Sequence, residues 1–386
     1  MKGEGKVIHP VRFRNGNVSV RPYEGNISAL TQQKSETVSP EDNPVLVTLT
    51  RSGQAAQGGG GGGGGESRHR GAIAIVDPHG RVVRAAGDPE QLVFPRSAIK
   101  PLQALALVES GAAAAFEVET RELALACASH AGTAAHTNTV ARWLHRIGCG
   151  ESDLVCGGHI PFDPATAQAL AESGTPPGRL HDCCSGKHTG FLTLARHLNA
   201  EIAGYDAPTH PVQQRVIGVL EAMAGLDDLL AYPHGIDGCS LPAFSAPLGN
   251  LAMAMARMAH VEDLPQRRGE AATLLRRAVA AHPDMLAGPG QPDTAIQAHL
   301  GERILVKSGA EGVYLAALPG LDLGVAIKID DGAPRAAQAT LGAVLEYLGV
   351  LDAAGAAALA PYLAPAVINR RGQAVGATVV TPEILN

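Results

Sequence analysis

Strand-type patterning sits at the two ends of this chain and helix-type patterning fills its middle, and that segregation limits the fold more than any other feature. Near one end "PVLVTLTRSG" alternates apolar and polar residues, and "AIAIVDPHGRVVRAAG" reads as two strands around the turn Asp77-Pro78-His79-Gly80. From Ser97 to about Pro283 the pattern turns helical. "LQALALVESG", "RELALACA", "HTNTVARWLHRIG", "GKHTGFLTLARHL", "HPVQQRVIGVLEAMAG", "PLGNLAMAMARMA" and "RRGEAATLLRRAVAAHP" space their apolar residues as helices do and are bounded by Gly or Pro. Strands return in "RILVKSG", "GVYLAALPG" and "LGVAIKIDDG", and "RAAQATLGAVLEYLG" is expected as the final helix. The fold expected is α/β (α+β): one antiparallel sheet built from both termini, flanked by helices, with an inserted all-helical domain. The sheet domain is expected over 44–96 and 300–386 and the helical one over 97–299, with a small-ligand site in the cleft between them.

Two segments stand outside this scheme. Residues 1–43, with "TQQKSETVSPEDNP", carry little to bury and read as a disordered or mis-started extension. Eight consecutive glycines, Gly58 to Gly65, invite a phosphate-loop reading, but a phosphate loop needs Lys-Ser/Thr directly after its turn and Glu66 follows here. The glycines are read instead as a flexible hairpin insertion.

Bulk properties narrow the class of protein. A net charge of -6, and the lack of any Lys/Arg block interleaved with aromatics, argue against a nucleic-acid partner. The N-terminus has no signal-peptide core, and no run reaches the ~18 apolar residues of a membrane span, so a cytoplasmic protein without a membrane partner is expected. Six cysteines in 386 residues are too sparse for a disulfide scaffold, which leaves them buried, metal-binding or catalytic.

Four segments can carry chemistry. In "PRSAIKPLQALAL", Ser97 and Lys100 are three apart, so on a helix the amine approaches the hydroxyl and can act as its base. Pro101 fits only a first turn, which puts Ser97 at a helix start. In "LACASHAGTAAH" an apolar run stops at Ser129-His130. "RILVKSGAEG" ends a strand pattern on Lys307-Ser308-Gly309. Ser-x-x-Lys with Lys-Ser-Gly is the pairing of serine β-lactamases and penicillin-binding proteins, although their Ser-Asp-Asn element is missing and Ser129-His130-Ala131 stands roughly in its place.

The fourth segment, "HDCCSGKHTG", is taken with "GIDGCSLPAFSAPL", which supplies Asp237 and Cys239. A redox pair, half a metal site and the edge of a catalytic pocket are all open on these residues alone. Cys184 and Lys187 lie three apart at a Gly-rich helix entry, and a thiolate is a good zinc ligand. A lysine must first lose its proton, so on chemistry alone His181 or His188 is the better third ligand.

The ordered set "RSAIKP", "CASH", "CGGH", "CSGKH", "DGCSLP" and "KSGAEG" closely resembles the asparaginase II family, the rhizobial-type L-asparaginases with a serine β-lactamase/glutaminase-like fold. The likeness runs from about Val45 to about Gly349. It implies hydrolysis of L-asparagine to L-aspartate and ammonia by a homodimer that uses no organic cofactor. The family's serine-lysine tandems fall on Ser97 with Lys100 and on Ser129 with Lys307, and its zinc ligands on Cys184, Lys187 and Cys239, which replaces the histidine preference. Substrate contacts fall on Arg96 and Asp237, with His188 bordering the pocket. Cys183 is left without a role.

Within that resemblance Ser97 ranks above Ser129 as nucleophile, for its helix-start position and nearby lysine. Asp237 is expected to meet the substrate ammonium and Arg96 or a lysine its carboxylate. The alternatives are an L-glutaminase or related amidohydrolase, a β-lactamase-like serine acylase, and an inactive zinc or thiol sensor. The extension before Pro44, the polyglycine insertion and the tail "APAVINRRGQAVGATVV" depart from the family pattern without removing a motif residue.

Overall fold

The computed structural model describes residues 43–51, 65–381 and 384. Eight strands form the main sheet: β1 (Val45–Arg51), β2 (Ser67–Val76), β3 (Val82–Ala86), β4 (Leu305–Gly309), β5 (Val313–Leu318), β6 (Leu323–Ile329), β7 (Ala366–Ile368) and β8 (Ala374–Val380). Their order is β7-β8-β1-β2-β6-β5-β4, with β3 also paired to β2, and every pairing is antiparallel. The two termini therefore interlock: β2 pairs with β6 in the register Ile73↔Ile327, and β1 lies between β2 and β8.

The strands sort their side chains with a period of two. Ala72, Ala74 and Val76 join a core shared with the central helices, while Ile73 and Ile75 join a second core on the opposite face. The first face is lined by small residues, and that choice has a consequence. A Cβ on Gly324 would stand 1.9 Å from the Ala252 carbonyl oxygen, so the helix Leu248–Ala259 can lie on β6 only because glycine is there. That helix is buried at nearly every position, in keeping with its Ala- and Met-rich, almost uncharged sequence. The second face is covered by the helices Pro334–Tyr347 and Ala353–Leu363.

Local signals account for the helices that carry the site, labelled α1 (Lys100–Glu109), α2 (Thr120–Ala126), α3 (Ser185–His197) and α4 (Pro292–Leu300). Pro101 sits in the first turn of α1, and Gly111, at φ 90°, follows its end. Pro292 opens α4 in the same way. The region read as helical also holds the strand pair His234–Ile236 with Pro242–Phe244 and the strand Ala246–Pro247, which pairs with Leu92–Val93 just before that region.

The C-terminal end departs from the sequence reading. "RAAQATLGAVLEYLG" is helical but not final: a further helix follows it, and the tail then forms the β7–β8 hairpin, with β8 pairing along β1 from Val47↔Val380 to Arg51↔Gly376. Gly58 to Gly64 lie outside the described residues, but the strands on either side of the insertion pair as a hairpin through Leu49↔Ser67. Of the extension 1–43 only Asn43 is described, and it belongs to the fold. It is buried and donates to Asp330 Oδ1 at 3.0 Å.

Candidate active site

The ends of several elements converge on one cavity of about 490 Å³. Arg96 and Ser97 come from a 3-10 turn, Arg96–Ile99, directly before α1, so the helix-start position expected for Ser97 is one turn earlier than the α-helix itself. Arg96 holds φ at 51°, a left-handed conformation costly for a residue with a Cβ. Close contact holds the turn in place: a Cβ on Gly309, at the end of β4, would stand 2.4 Å from the Pro95 carbonyl oxygen. Glycine at 309 thus lets the Lys307-Ser308 strand end press against the turn that bears Ser97.

Ser129 follows α2 on a loop fixed by a buried histidine. His130 Nδ1 accepts from the Gly132 amide at 3.2 Å, so Nε2 carries the proton and donates to Ser185 Oγ at 2.8 Å, at the start of α3. Burial holds this imidazole well below its usual pKa, and it is neutral.

The lysines are shared out differently from the expected tandems. Lys100, fully buried, donates to Ser129 Oγ at 2.9 Å and to the Ala128 carbonyl at 2.6 Å, whereas among the described residues Ser97 Oγ has no hydrogen-bond partner. Lys307 lies 3.0 Å from Asp293 Oδ2 and donates to the Ser308 carbonyl at 2.9 Å, not to Ser129. The structure thus couples Lys100 with Ser129. Asp293, in the first turn of α4, also accepts from the Ser308 amide at 3.0 Å, Ser308 Oγ at 2.8 Å and Tyr314 Oη at 2.6 Å. Burial pushes its carboxyl up, but the Lys307 ammonium and these donors outweigh burial and hold it below the usual range. Burial lowers the Lys307 amine despite Asp293, and the nearby Lys100 charge adds to the lowering.

Sequence reasoning missed Asp293 and Tyr314, and it named Ser308 only as part of the Lys307-Ser308-Gly309 strand end. An acidic residue one position after a helix-opening proline is an ordinary first-turn choice, so nothing local marks Asp293 as the lysine's partner.

Arg96 and Asp237 face the cavity and bind each other, with Arg96 Nε 2.8 Å and Nη2 2.6 Å from Asp237 Oδ1. His188 departs from its expected place. It is fully buried, its Nδ1 lies 2.6 Å from Tyr205 Oη, its Nε2 has no hydrogen-bond partner among the described residues, and it does not line the cavity. Burial and the Lys187 charge keep it neutral.

Cys184, Lys187 and Cys239 are brought together. Lys187 Nζ donates to Cys239 Sγ at 3.2 Å, the two thiols are within hydrogen-bonding reach of each other, and all three residues are buried. Hydrogen bonds from Cys183 and Cys239 draw the Cys184 thiol well below its usual pKa against the pull of burial. The Lys187 amine is lowered by burial and raised by the thiolates, which prevail. Two sulfurs and an amine, joined through Cys239, are donors of the kind that would hold a zinc ion in place of the amine's extra proton.

The L-asparaginase II family profile matches residues 61–380. The chain belongs to the L-asparaginase II family. The motif residues above all lie inside the matched span. No curated protein sequence matches it. Similar solved structures include Mglu in its native form (15% identity, TM-score 0.41, covering 74% of this chain and 66% of that one). They also include a beta-lactamase from Mycobacterium bovis (15%, TM-score 0.36, 72% and 94%) and the D-alanine carboxypeptidase AmpC from Burkholderia cenocepacia (13%, TM-score 0.37, 73% and 93%). The chain thus spans just under two thirds of the Mglu chain, and likeness at these TM-scores assigns no substrate. Among the described residues no helix is long and apolar enough to cross a membrane.

Proposed function

We propose that the protein is an L-asparaginase that hydrolyses L-asparagine to L-aspartate and ammonia through a seryl acyl-enzyme. The observation that carries this reading is Lys100 Nζ at 2.9 Å from Ser129 Oγ, in a cavity that also presents Ser97, Arg96 and Asp237. A nucleophile needs its base within hydrogen-bond reach, so Ser129 takes precedence over Ser97, the reverse of the order expected from helix position. The opposed charges of Arg96 and Asp237 suit an amino-acid zwitterion: the carboxylate meets the guanidinium and the ammonium meets the carboxylate.

In the reaction Ser129 Oγ attacks the side-chain amide carbon while the Lys100 amine takes the hydroxyl proton. The C–N bond then breaks, and the same proton passes to the departing nitrogen, which leaves as ammonia. Water, losing a proton to the freed amine, attacks the ester carbon, the C–Oγ bond breaks, the amine returns the proton to Ser129 Oγ, and aspartate leaves. Ser97, without a hydrogen-bond partner among the described residues, is free to hydrogen-bond the reacting amide. Asp293 keeps Lys307 in the wall of the cavity through their 3.0 Å ion pair. Cys184, Lys187 and Cys239 would hold a zinc ion, which when bound supplies a fixed positive charge beside the cavity. The working unit of this reading is a cytoplasmic homodimer, and light scattering of the purified chain checks the assembly.

The test is ammonia release from L-asparagine and from L-glutamine by the wild type and the two serine variants. Ser129→Ala is expected to lower kcat by about 10³-fold or more, and Ser97→Ala to lower it less. Near-wild-type turnover in Ser129→Ala with loss in Ser97→Ala returns the nucleophile to Ser97. No ammonia from L-asparagine, with hydrolysis of L-glutamine or of a chromogenic β-lactam, overturns the substrate.

A further inference from the structure

Cys183 is not one of the Cys184–Lys187–Cys239 ligands, although it hydrogen-bonds Cys184, and it lines the same cavity beside His159 and Asp182. One donor atom from each of these three residues, a ring nitrogen, a carboxylate oxygen and Sγ, lies within 4.8 Å of the other two. From this we infer a second metal position: His159, Asp182 and Cys183 bind a divalent cation of the zinc class, separately from the Cys184–Lys187–Cys239 site.

Each donor is arranged as a ligand. His159 Nδ1 lies 2.7 Å from the Ile160 carbonyl oxygen, and since a carbonyl only accepts, the proton is on Nδ1 and the lone pair on Nε2. A backbone carbonyl fixing the tautomer through the other ring nitrogen is the usual support of a metal-bound histidine. Nε2 accepts from the Cys183 amide at 2.9 Å, so the lone pair already points at the cysteine residue and passes to the cation when it binds.

Asp182 is buried, accepts from the Cys184 amide at 2.7 Å and takes part in no ion pair among the described residues. A buried carboxylate without a countercharge is costly, and a cation at this position removes that cost. Cys183 Sγ lies 3.7 Å from Cys184 Sγ, so the two ligand sets meet at adjacent thiols. Thiolate, imidazole and carboxylate together select zinc-like ions over magnesium or calcium, and three protein ligands leave a coordination position open to the cavity.

The test uses the full chain with its thiols reduced, dialysed to equilibrium against Co(II), with bound metal counted and the thiolate-to-cobalt charge-transfer absorption recorded. The wild type is expected to bind about two ions per chain. Cys183→Ser and His159→Gln should each keep one of the two, and the double variant Cys184→Ser/Cys239→Ser should keep the other, with charge-transfer absorption from Cys183. A single ion in the wild type that the double variant loses and that Cys183→Ser and His159→Gln keep overturns the second position. So does full wild-type binding in both Cys183→Ser and His159→Gln. A single ion that the double variant keeps and that Cys183→Ser and His159→Gln lose puts the failure in the first site alone, so the two readings fail separately.

Discussion

Replacing Asp293 by asparagine isolates one buried charge. The carboxylate accepts from Lys307 Nζ at 3.0 Å, the Ser308 amide at 3.0 Å and Ser308 Oγ at 2.8 Å through one oxygen, and from Tyr314 Oη at 2.6 Å through the other. An asparagine can keep its carbonyl oxygen toward Lys307 and Ser308 and donate its amide to Tyr314 Oη, so the hydrogen bonds survive and the charge does not. Lys307 has no solvent exposure, and an ammonium stranded there costs about 3–5 kcal/mol. The loss should appear at pH 7 as a lower denaturation midpoint in urea. Its pH dependence has a definite sign. An unpaired buried lysine has its folded pKa depressed further below the unfolded value of about 10.4, so the unfolded state holds the extra proton and the variant gains stability as pH rises toward 10. The deficit relative to wild type therefore shrinks with alkali. Adding Lys307→Met to Asp293→Asn removes the stranded charge and should recover most of the loss, because a buried pair replaced as a whole is often near neutral. A deficit under about 1 kcal/mol at pH 7, or no recovery in the double variant, would refute the argument that this pair is held by charge.

Two further outcomes follow from the same geometry. Gly309→Ala puts a Cβ 2.4 Å from the Pro95 carbonyl oxygen, so the turn carrying Ser97 must move. Stability should fall by about 1–3 kcal/mol and turnover by about 10-fold or more, and unchanged turnover in a folded variant would show that the turn's position is not needed. His130 is buried neutral with its pKa far below the unfolded value, so its contribution is present above pH ~6.5 and is lost on acidification, at up to about 1.4 kcal/mol per pH unit. Melting curves between pH 7 and pH 5 should show this slope, and His130→Gln should flatten it.

The sheet strands were legible because they bury both faces with different partners, and the alternation of Ala72 and Ala74 with Ile73 and Ile75 records that in the sequence. Helices bounded by Pro and Gly were equally plain. What escaped notice lacked contrast. Ala353–Leu363 is mostly alanine with a proline inside, and Pro164–Ser173 has no buried residue, so neither shows an apolar stripe. The β7–β8 hairpin becomes a sheet edge only through its pairing with β1, which no local pattern announces.

The site divides along the same line. Its motif residues could be collected from the sequence because each lies at or beside the end of an element: Ser97 before α1, Ser129 after α2, Cys184 and Lys187 at the start of α3, Lys307 on β4. Which of them touch is a tertiary matter. The spacing of Ser97 and Lys100 suggests contact on one helix, but the chain between them is a 3-10 turn, and the amine reaches across to the Ala128 carbonyl and Ser129 instead. His188, a zinc-ligand candidate on residue chemistry and a pocket neighbour by resemblance, is placed against another wall by helix geometry. Lys187 and His188 are neighbours on α3, so their side chains leave the helix about 100° apart. Once Lys187 is turned toward Cys239, His188 must face another wall, and it does, against Tyr205.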